Sequence, residues 1–220
     1  MNLWWFNIDD FPAERVEEIL HCLPLSFTEE INAYRLFEDR KRKLIARILV
    51  KGYFTEDNKG WSWDNWKKDR NGKPFMEGNS FFNISHSGKF VVVAFSSDSS
   101  LGVDIEEIKD IEVEPLAKML HTDEYQYLKS IDFNQSVFYS LWTKKEAFLK
   151  ALGVGFSKGI NQVSTLENRI YFDESEWHFH EITIWANYTG YICMNAPINE
   201  VIVTHINYET LNKFITETTI

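Results

Sequence analysis

The sequence predicts an α+β fold of two pseudo-symmetric halves, each a small antiparallel sheet packed with a long helix, with an active-site cleft between them. Three observations carry this. Runs with strand patterning alternate with stretches of helical spacing along the chain. The segment HSGKFVVVAF at 86 to 95 echoes YTGYICMNAP at 188 to 197 in its glycine, its aromatic and its apolar run. Each half also carries a basic, apolar-striped helix, RKRKLIARILV or WTKKEAFLKAL, upstream of its echoed segment. Two such halves, 1–101 and 102–220, would form a cleft where they meet. Short apolar strands after glycine are common, so chance similarity is the competing reading of the echo.

The elements follow in order. Apolar residues at helical spacing over 29 to 50, among them Leu44, Ile45, Ile48 and Leu49, predict a helix whose front holds Arg40, Lys41, Arg42, Lys43 and Arg47. A loop rich in Asp, Asn, Gly and Lys is expected from 55 to 79, with a turn at Asn71-Gly72-Lys73-Pro74. Phe81 to Ile84 and Phe90 to Phe95 read as strands, and residues 96 to 100 as the turn into a strand from Gly102 to Glu106. Helices are expected at 112 to 120, 122 to 130 and 134 to 152, the last ended by Gly153 and Gly155. Glu181 to Trp185, Tyr191 to Met194 and Val201 to His205 read as strands again.

Composition bounds the function. The 220 residues, 44% hydrophobic and 15% aromatic, can bury a full core as one large domain or two small ones. A net charge of −10 argues against a general nucleic-acid binder, so an anionic ligand must meet a local basic cluster. Cys22 and Cys193 lie far apart without metal-ligand spacing and read as reduced thiols. The start of the chain has no basic region before its apolar run, and no later run approaches the roughly 20 apolar residues of a bilayer span. A cytoplasmic protein is expected, and a monomer, since two halves in one chain need no partner subunit to make a cleft.

Two constellations carry chemistry. In the strand LGVDIEEIKD, residues two apart share a face about 6.6 Å apart, so Asp104 and Glu106 lie together while Val103 and Ile105 face the core. Paired carboxylates repel unless a cation or proton sits between them, and an all-oxygen site suits Mg²⁺ or Mn²⁺. Taken alone, a bare Asp-x-Glu reads as solvated strand surface. On the helix FYSLWTKKEAFLKAL, Phe138, Leu141, Trp142, Phe148, Leu149 and Leu152 form an apolar arc with Lys145 inside it. Lys145 either snorkels past the aromatics or enters a buried polar site. Glu146 and Lys150 stand one turn apart, as a surface salt bridge or as a third carboxylate with its cation.

With GVDIE at 102 to 106, WTKKEAFLK at 142 to 150, FNISHSG at 82 to 88 and NGKP at 71 to 74, in order, the chain resembles the 4'-phosphopantetheinyl transferases. The likeness is to the long single-chain type that activates peptide and polyketide synthetases such as surfactin synthetase, and covers about residues 40 to 160. It implies transfer of phosphopantetheine from coenzyme A to a serine of an apo acyl or peptidyl carrier protein, leaving adenosine 3',5'-bisphosphate. By matched position it implies that Asp104, Glu106 and Glu146 bind Mg²⁺, and that Arg42, Lys73, Ser85 and His86 contact phosphates. Lys145 and Lys150 would stabilise the leaving group, Lys150 protonating it. Glu124 in HTDEYQYL would be the base, with Glu146 the competitor; read alone, Glu124 is a first-turn helix acid.

Two departures stand out. Some relatives place lysines around the segment matching Phe27 to Asn32, which here holds acids and neutrals, so Arg35, Arg40 or Lys41 would have to meet the 3'-phosphate. Ile105 puts no polar side chain between the two acids. The segment 112 to 133, with Leu116, Met119, Leu120, Tyr125, Tyr127 and Leu128, reads as a carrier-docking surface or as core packing. A Mg²⁺-dependent phosphodiesterase and a non-catalytic coenzyme A or carrier-protein binding module are the alternative functions.

Overall fold

A computed structural model describes residues 1–56, 61–78, 80–154, 159 and 161–216. Among them run strands β1 (Asn2–Asn7), β2 (Trp66–Lys68), β3 (Pro74–Met76), β4 (Phe81–Ser87), β5 (Phe90–Ser96), β6 (Leu101–Glu107), β7 (Arg169–Phe172), β8 (Ser175–Glu181), β9 (Tyr188–Met194) and β10 (Ile202–His205). The helices are α1 (Arg15–Leu20), α2 (Leu25–Asn32), α3 (Phe37–Glu56), α4 (Val113–Ala117), α5 (Thr122–Ser130), α6 (Gln135–Leu152) and α7 (Tyr208–Thr216). The fold is mixed α and β. One four-stranded sheet has the order β10-β1-β5-β4, a second the order β6-β9-β8-β7, and β2-β3 is a separate hairpin.

Alternation along β5 explains how the sheets stack. Val91, Val93 and Phe95 point into a core shared with Leu44, Ile45, Ile48 and Leu49 of α3. Phe90, Val92 and Ala94 point the other way, into a core shared with Leu101, Val103 and Ile105 of β6 and Ile192 and Met194 of β9. Both faces of β5 are therefore buried, which is why it reads as a continuous apolar run. Beyond β6 and β9 lies α6, whose Ala147, Phe148 and Ala151 pack with Trp177, Phe179, Tyr191 and Cys193. Gly102 makes this approach possible: a Cβ there would sit 1.9 Å from Ala147 O and 2.4 Å from Ala151 N. Both cysteines are free.

The edge strands β4 and β6 face each other and are tied by side chains. Asn83 Oδ1 accepts from Val103 N at 2.8 Å, Ser85 Oγ from Ile105 N at 3.3 Å, and Ser87 Oγ from Glu107 N at 3.0 Å. The residues alternate along β4, as a strand's period of two requires. They satisfy three strand-edge N–H groups that would otherwise be orphaned at the sheet junction.

Several sequence expectations change. The helix expected over 29 to 50 is two helices, broken at 33–36 so that Phe27 and Ile31 fold back onto the same core as α3. The loop expected at 55 to 79 contains the β2-β3 hairpin. The strand expected at 181 to 185 ends at Glu181; Ile182 N makes one more bond to Gly190 O, and Trp185 then turns to stack on Phe90 at 4.4 Å. Strands β1, β7 and most of β8, with helices α1 and α7, add to the expected elements. The glycines of the two echoed segments do different work: Gly88 lies in the turn between β4 and β5, and Gly190 lies within β9 opposite Ile105. Gly153 caps α6 in the left-handed region at φ 68°, while Gly155 lies outside the described residues. Of the residues grouped with the second half by the sequence, β10 joins the first sheet and α7 packs on the core of that sheet. β10 pairs parallel with β1, and Phe214 of α7 stacks on Trp4 at 5.6 Å.

Candidate active site

A cleft of about 630 Å³ opens where the two sheets meet, between α3 on one side and α6 on the other. β6 delivers Asp104 and Glu106 to it, because Val103 and Ile105 are locked into the core on the opposite face. α6 delivers Trp142, Glu146 and Lys150, spaced four apart and so stacked along one flank. From β4 come Ser85 and His86.

The acidic end is tightly bonded on one side and unbonded on the other. Lys150 Nζ donates to Asp104 Oδ1 at 2.6 Å, to Ser85 Oγ at 3.1 Å and to Val103 O at 3.1 Å. Ser85 Oγ donates to the same Asp104 oxygen at 2.8 Å, and Ser87 Oγ donates to Glu106 Oε2 at 2.7 Å. Asp104 Oδ2 and Glu146 Oε1 are buried with no hydrogen-bond partner. Burial raises the pKa of all three carboxyls. At Asp104 it outweighs Lys150, at Glu106 the Asp104 charge adds to it, and Glu146 is pushed up to about 7 by burial and then by Asp104.

Three crowded carboxylates with two unsatisfied oxygens are chemically suited to a hard, oxygen-seeking cation. Among the described residues no three acidic, His or Cys side chains form a ready-made ligand group. Mg²⁺ does not need one, since it is held by one or two carboxylates completed by waters and phosphate oxygens.

The far end of the cleft is cationic. Arg47 lies beside the edge-to-face pair of Phe27 and Trp66, its Cζ 5.5 and 5.8 Å from their centroids, and pairs with Glu30 at 2.9 Å. Lys68 pairs with the other Glu30 oxygen at 2.8 Å. Lys43 stands 5.3 Å from the Tyr34 ring centroid, its pKa lowered by burial and by Arg47. Burial, with Lys43, Lys150 and Arg42 nearby, lowers the His86 imidazole to about 4. Of the two acids in the segment 27 to 32, Glu30 is thus already neutralised, and among the described residues the cations facing the cleft are Lys43, Arg47, Lys68 and Lys150. Arg40 instead pairs with Glu17, and neither Arg35 nor Lys41 lines the cleft.

Four expected site residues lie elsewhere. Arg42 is held by Asp39 at 2.8 Å and by Gly88 O at 2.6 Å, on a separate groove. Lys73 donates to Lys150 O, Leu101 O and Ser100 Oγ at 2.6, 3.0 and 3.4 Å, behind the cleft wall. Glu124 and Lys145 form an ion pair of 2.8 Å with side chains 0% and 2% exposed. Glu124 also accepts from His121 N, Thr165 N and Thr165 Oγ1, and Lys145 donates to Val163 O. This resolves Lys145 as buried in a polar site, but one beside Glu124 rather than Glu146.

No local pattern marks Lys68, Glu30, Tyr34 and Trp66 as cleft residues, because the cleft joins them across long separations. The polar alternation of Asn83, Ser85 and Ser87 was a usable signal, of the same period as Asp104 and Glu106. In the proposed docking segment, Leu116, Met119 and Tyr127 are exposed, whereas Leu120 and Leu128 are core.

Comparison with known proteins places this cleft in a family context. Residues 100–193 match the model of the 4'-phosphopantetheinyl transferase superfamily, and residues 12–98 that of the 4'-phosphopantetheinyl transferase, N-terminal region. The chain is 35% identical over 130 residues to 4'-phosphopantetheinyl transferase gsp of Aneurinibacillus migulanus, covering 56% of this chain and only 53% of that protein. It is 29% identical over 210 residues to ffp of Bacillus subtilis, covering 90% and 93% of the two chains. It is 30% identical over 161 residues to psf-1 of Bacillus pumilus, covering 70% and 68%.

Proposed function

Because this chain belongs to the 4'-phosphopantetheinyl transferase superfamily, we propose that its cleft binds coenzyme A with Mg²⁺ or Mn²⁺. It then transfers 4'-phosphopantetheine to a serine of an apo acyl or peptidyl carrier protein. One observation supports this above the rest: a single cleft carries unsatisfied carboxylate oxygens at one end and Lys43, Arg47 and Lys68 at the other. That charge pattern suits a ligand with two separated phosphate groups and a bound cation.

Asp104, Glu106 and Glu146 are the residues that would hold the ion, which when bound supplies electrostatic stabilisation of charge on the pyrophosphate. Lys150, fixed by Asp104, Ser85 and Val103 O, presents an ammonium to the same phosphates. Glu146, which lines the cleft with Oε1 unpartnered, is the better-placed base. Glu124 has no free access to a substrate, since both its oxygens are occupied and buried. In the transfer the serine oxygen bonds to the β-phosphorus, the bond from that phosphorus to the bridging oxygen breaks, and adenosine 3',5'-bisphosphate leaves. The serine proton passes to Glu146, and Lys150 protonates or neutralises the leaving phosphate.

His86 is uncharged at pH 7 among cations. It serves as a neutral hydrogen-bonding group until an anionic ligand draws a proton onto it.

The test is to incubate the protein with coenzyme A, Mg²⁺ and apo carrier proteins of several kinds, and to follow both partners by mass spectrometry. The expected result is a phosphopantetheine adduct on serine with one adenosine 3',5'-bisphosphate released per adduct. Hydrolysis of coenzyme A without an adduct would make the protein a phosphodiesterase. Binding without either product would make it a binding module. Carrier recognition is expected at Met119, Tyr127 and their exposed neighbours.

A further inference from the structure

The turn between β2 and β3 grips the end of α6. Asp69 Oδ1 accepts from the backbone N–H groups of Asn71 and Lys73 at 2.8 and 2.9 Å, which folds the turn. Asn71 Nδ2 then donates to Gly153 O at 2.5 Å. Lys73 places its ammonium between the last turn of α6, through Lys150 O, and the start of β6, through Leu101 O and Ser100 Oγ. Ser100 Oγ passes the chain on to Ala151 O at 3.0 Å. A cation on the closing carbonyls of a helix also meets the negative end of its dipole.

The carbonyl that Lys73 holds belongs to the residue whose side chain salt-bridges Asp104. Lys73, like Lys150, has protein acceptors for its ammonium, but Lys150 lines the cleft and the Lys73 side chain faces a separate groove with Ser100 and Ala151, although Gly72 and Pro74 beside it do line the cleft. We infer that Lys73 is a positioning residue: it fixes the last turn of α6 so that the Lys150 ammonium reaches Asp104 and Ser85, and it contacts no phosphate itself. Gly72 and Pro74 then connect the occupant of the cleft to the placement of Lys150. Burial holds the Lys73 pKa down to about 8.

This inference rests on the transferase reading, and its test has one arm in that reaction and one outside it. Lys73→Met, Lys150→Ala and the double variant are compared for kcat and KM with coenzyme A and with its analogue lacking the 3'-phosphate. Misplacing a reacting group by a fraction of an ångström to an ångström costs up to about 100-fold. Lys73→Met should therefore lose about 10- to 100-fold in kcat, with KM for both substrates within about two-fold of wild type. In the Lys150→Ala background the same change should add little, since the two residues act as one unit.

Outside the reaction, the side-chain NMR signal of Lys150, assigned through Lys150→Arg, should shift in Lys73→Met without any substrate. Additive losses in the double variant, a KM rise confined to the substrate bearing the 3'-phosphate, or an unmoved Lys150 signal would each overturn the inference. If wild type forms no adduct, the transferase reading fails, and the NMR arm still decides the role of Lys73. Lys73→Gln replaces the Met variant in both arms if the latter does not fold.

Discussion

Lys150 Nζ lies 2.6 Å from Asp104 Oδ1, while Oδ2 of the same carboxylate is buried with no partner. The aspartate is thus satisfied by a protein cation on one side and unpartnered on the other. Asp104→Asn removes the charge that Lys150 pairs with and that the proposed ion would need. It should cut the rate of adduct formation by about 100-fold or more while the fold is retained. A thermal melt and a steady-state assay on one preparation check this; a rate within about ten-fold of wild type would refute it.

Two cleft groups titrate in opposite senses. Glu146, at about 7 when folded against an ordinary 4.5, keeps its proton longer in the folded protein. Its contribution therefore weakens the fold as pH rises through 4.5 to 7. His86, at about 4 against 6.5, is protonated more readily in the unfolded chain, so it weakens the fold as pH falls from 6.5 to 4. Glu146→Gln should be more stable than wild type at high pH by on the order of 1–3 kcal/mol and nearly equal at acid pH. His86→Gln should show the reverse. Urea melts across the range without divalent ions measure both.

The Glu124–Lys145 pair separates a structural acid from a catalytic one. Removing one partner leaves a buried, uncompensated charge and should cost about 3–5 kcal/mol, whereas Glu124→Gln with Lys145→Met should cost less than either alone. Per folded molecule, Glu124→Gln should keep activity within a few-fold of wild type. Loss of a general base would instead cost about 100-fold or more with little change in the melt.

The cationic end of the cleft predicts a binding effect. Lys43→Ala and Lys68→Ala should each raise KM for coenzyme A about five- to ten-fold at nearly constant kcat, the mark of an interaction made equally in ground and transition states. Higher salt should shrink the difference. A fall in kcat at constant KM would place these residues in the chemistry instead.

Much of the site was legible in local pattern. The alternation of Val103, Asp104, Ile105 and Glu106 assigned faces correctly because one side of β6 had to be buried, and the periodicity of α6 placed Glu146 and Lys150 one turn apart. What escaped depends on distant partners. The anomaly of Lys145 in an apolar arc was visible, but its partner Glu124 lies on another helix. The pairing of β1 with β10 joins the two ends of the chain and leaves no local trace. The break after α2 carries no proline or glycine, so helical spacing ran through it unmarked. Lys73 stood in a recognisable turn, yet only its three acceptors reveal that it serves a helix end.

The most direct test of the site is a titration with Mn²⁺ in the presence of coenzyme A, read from the free-ion signal by electron paramagnetic resonance. Wild type should take up one ion per chain, and Asp104→Asn and Glu146→Gln should each bind it at least about ten-fold more weakly. Equal uptake by all three proteins would contradict the placement of the cation on these carboxylates.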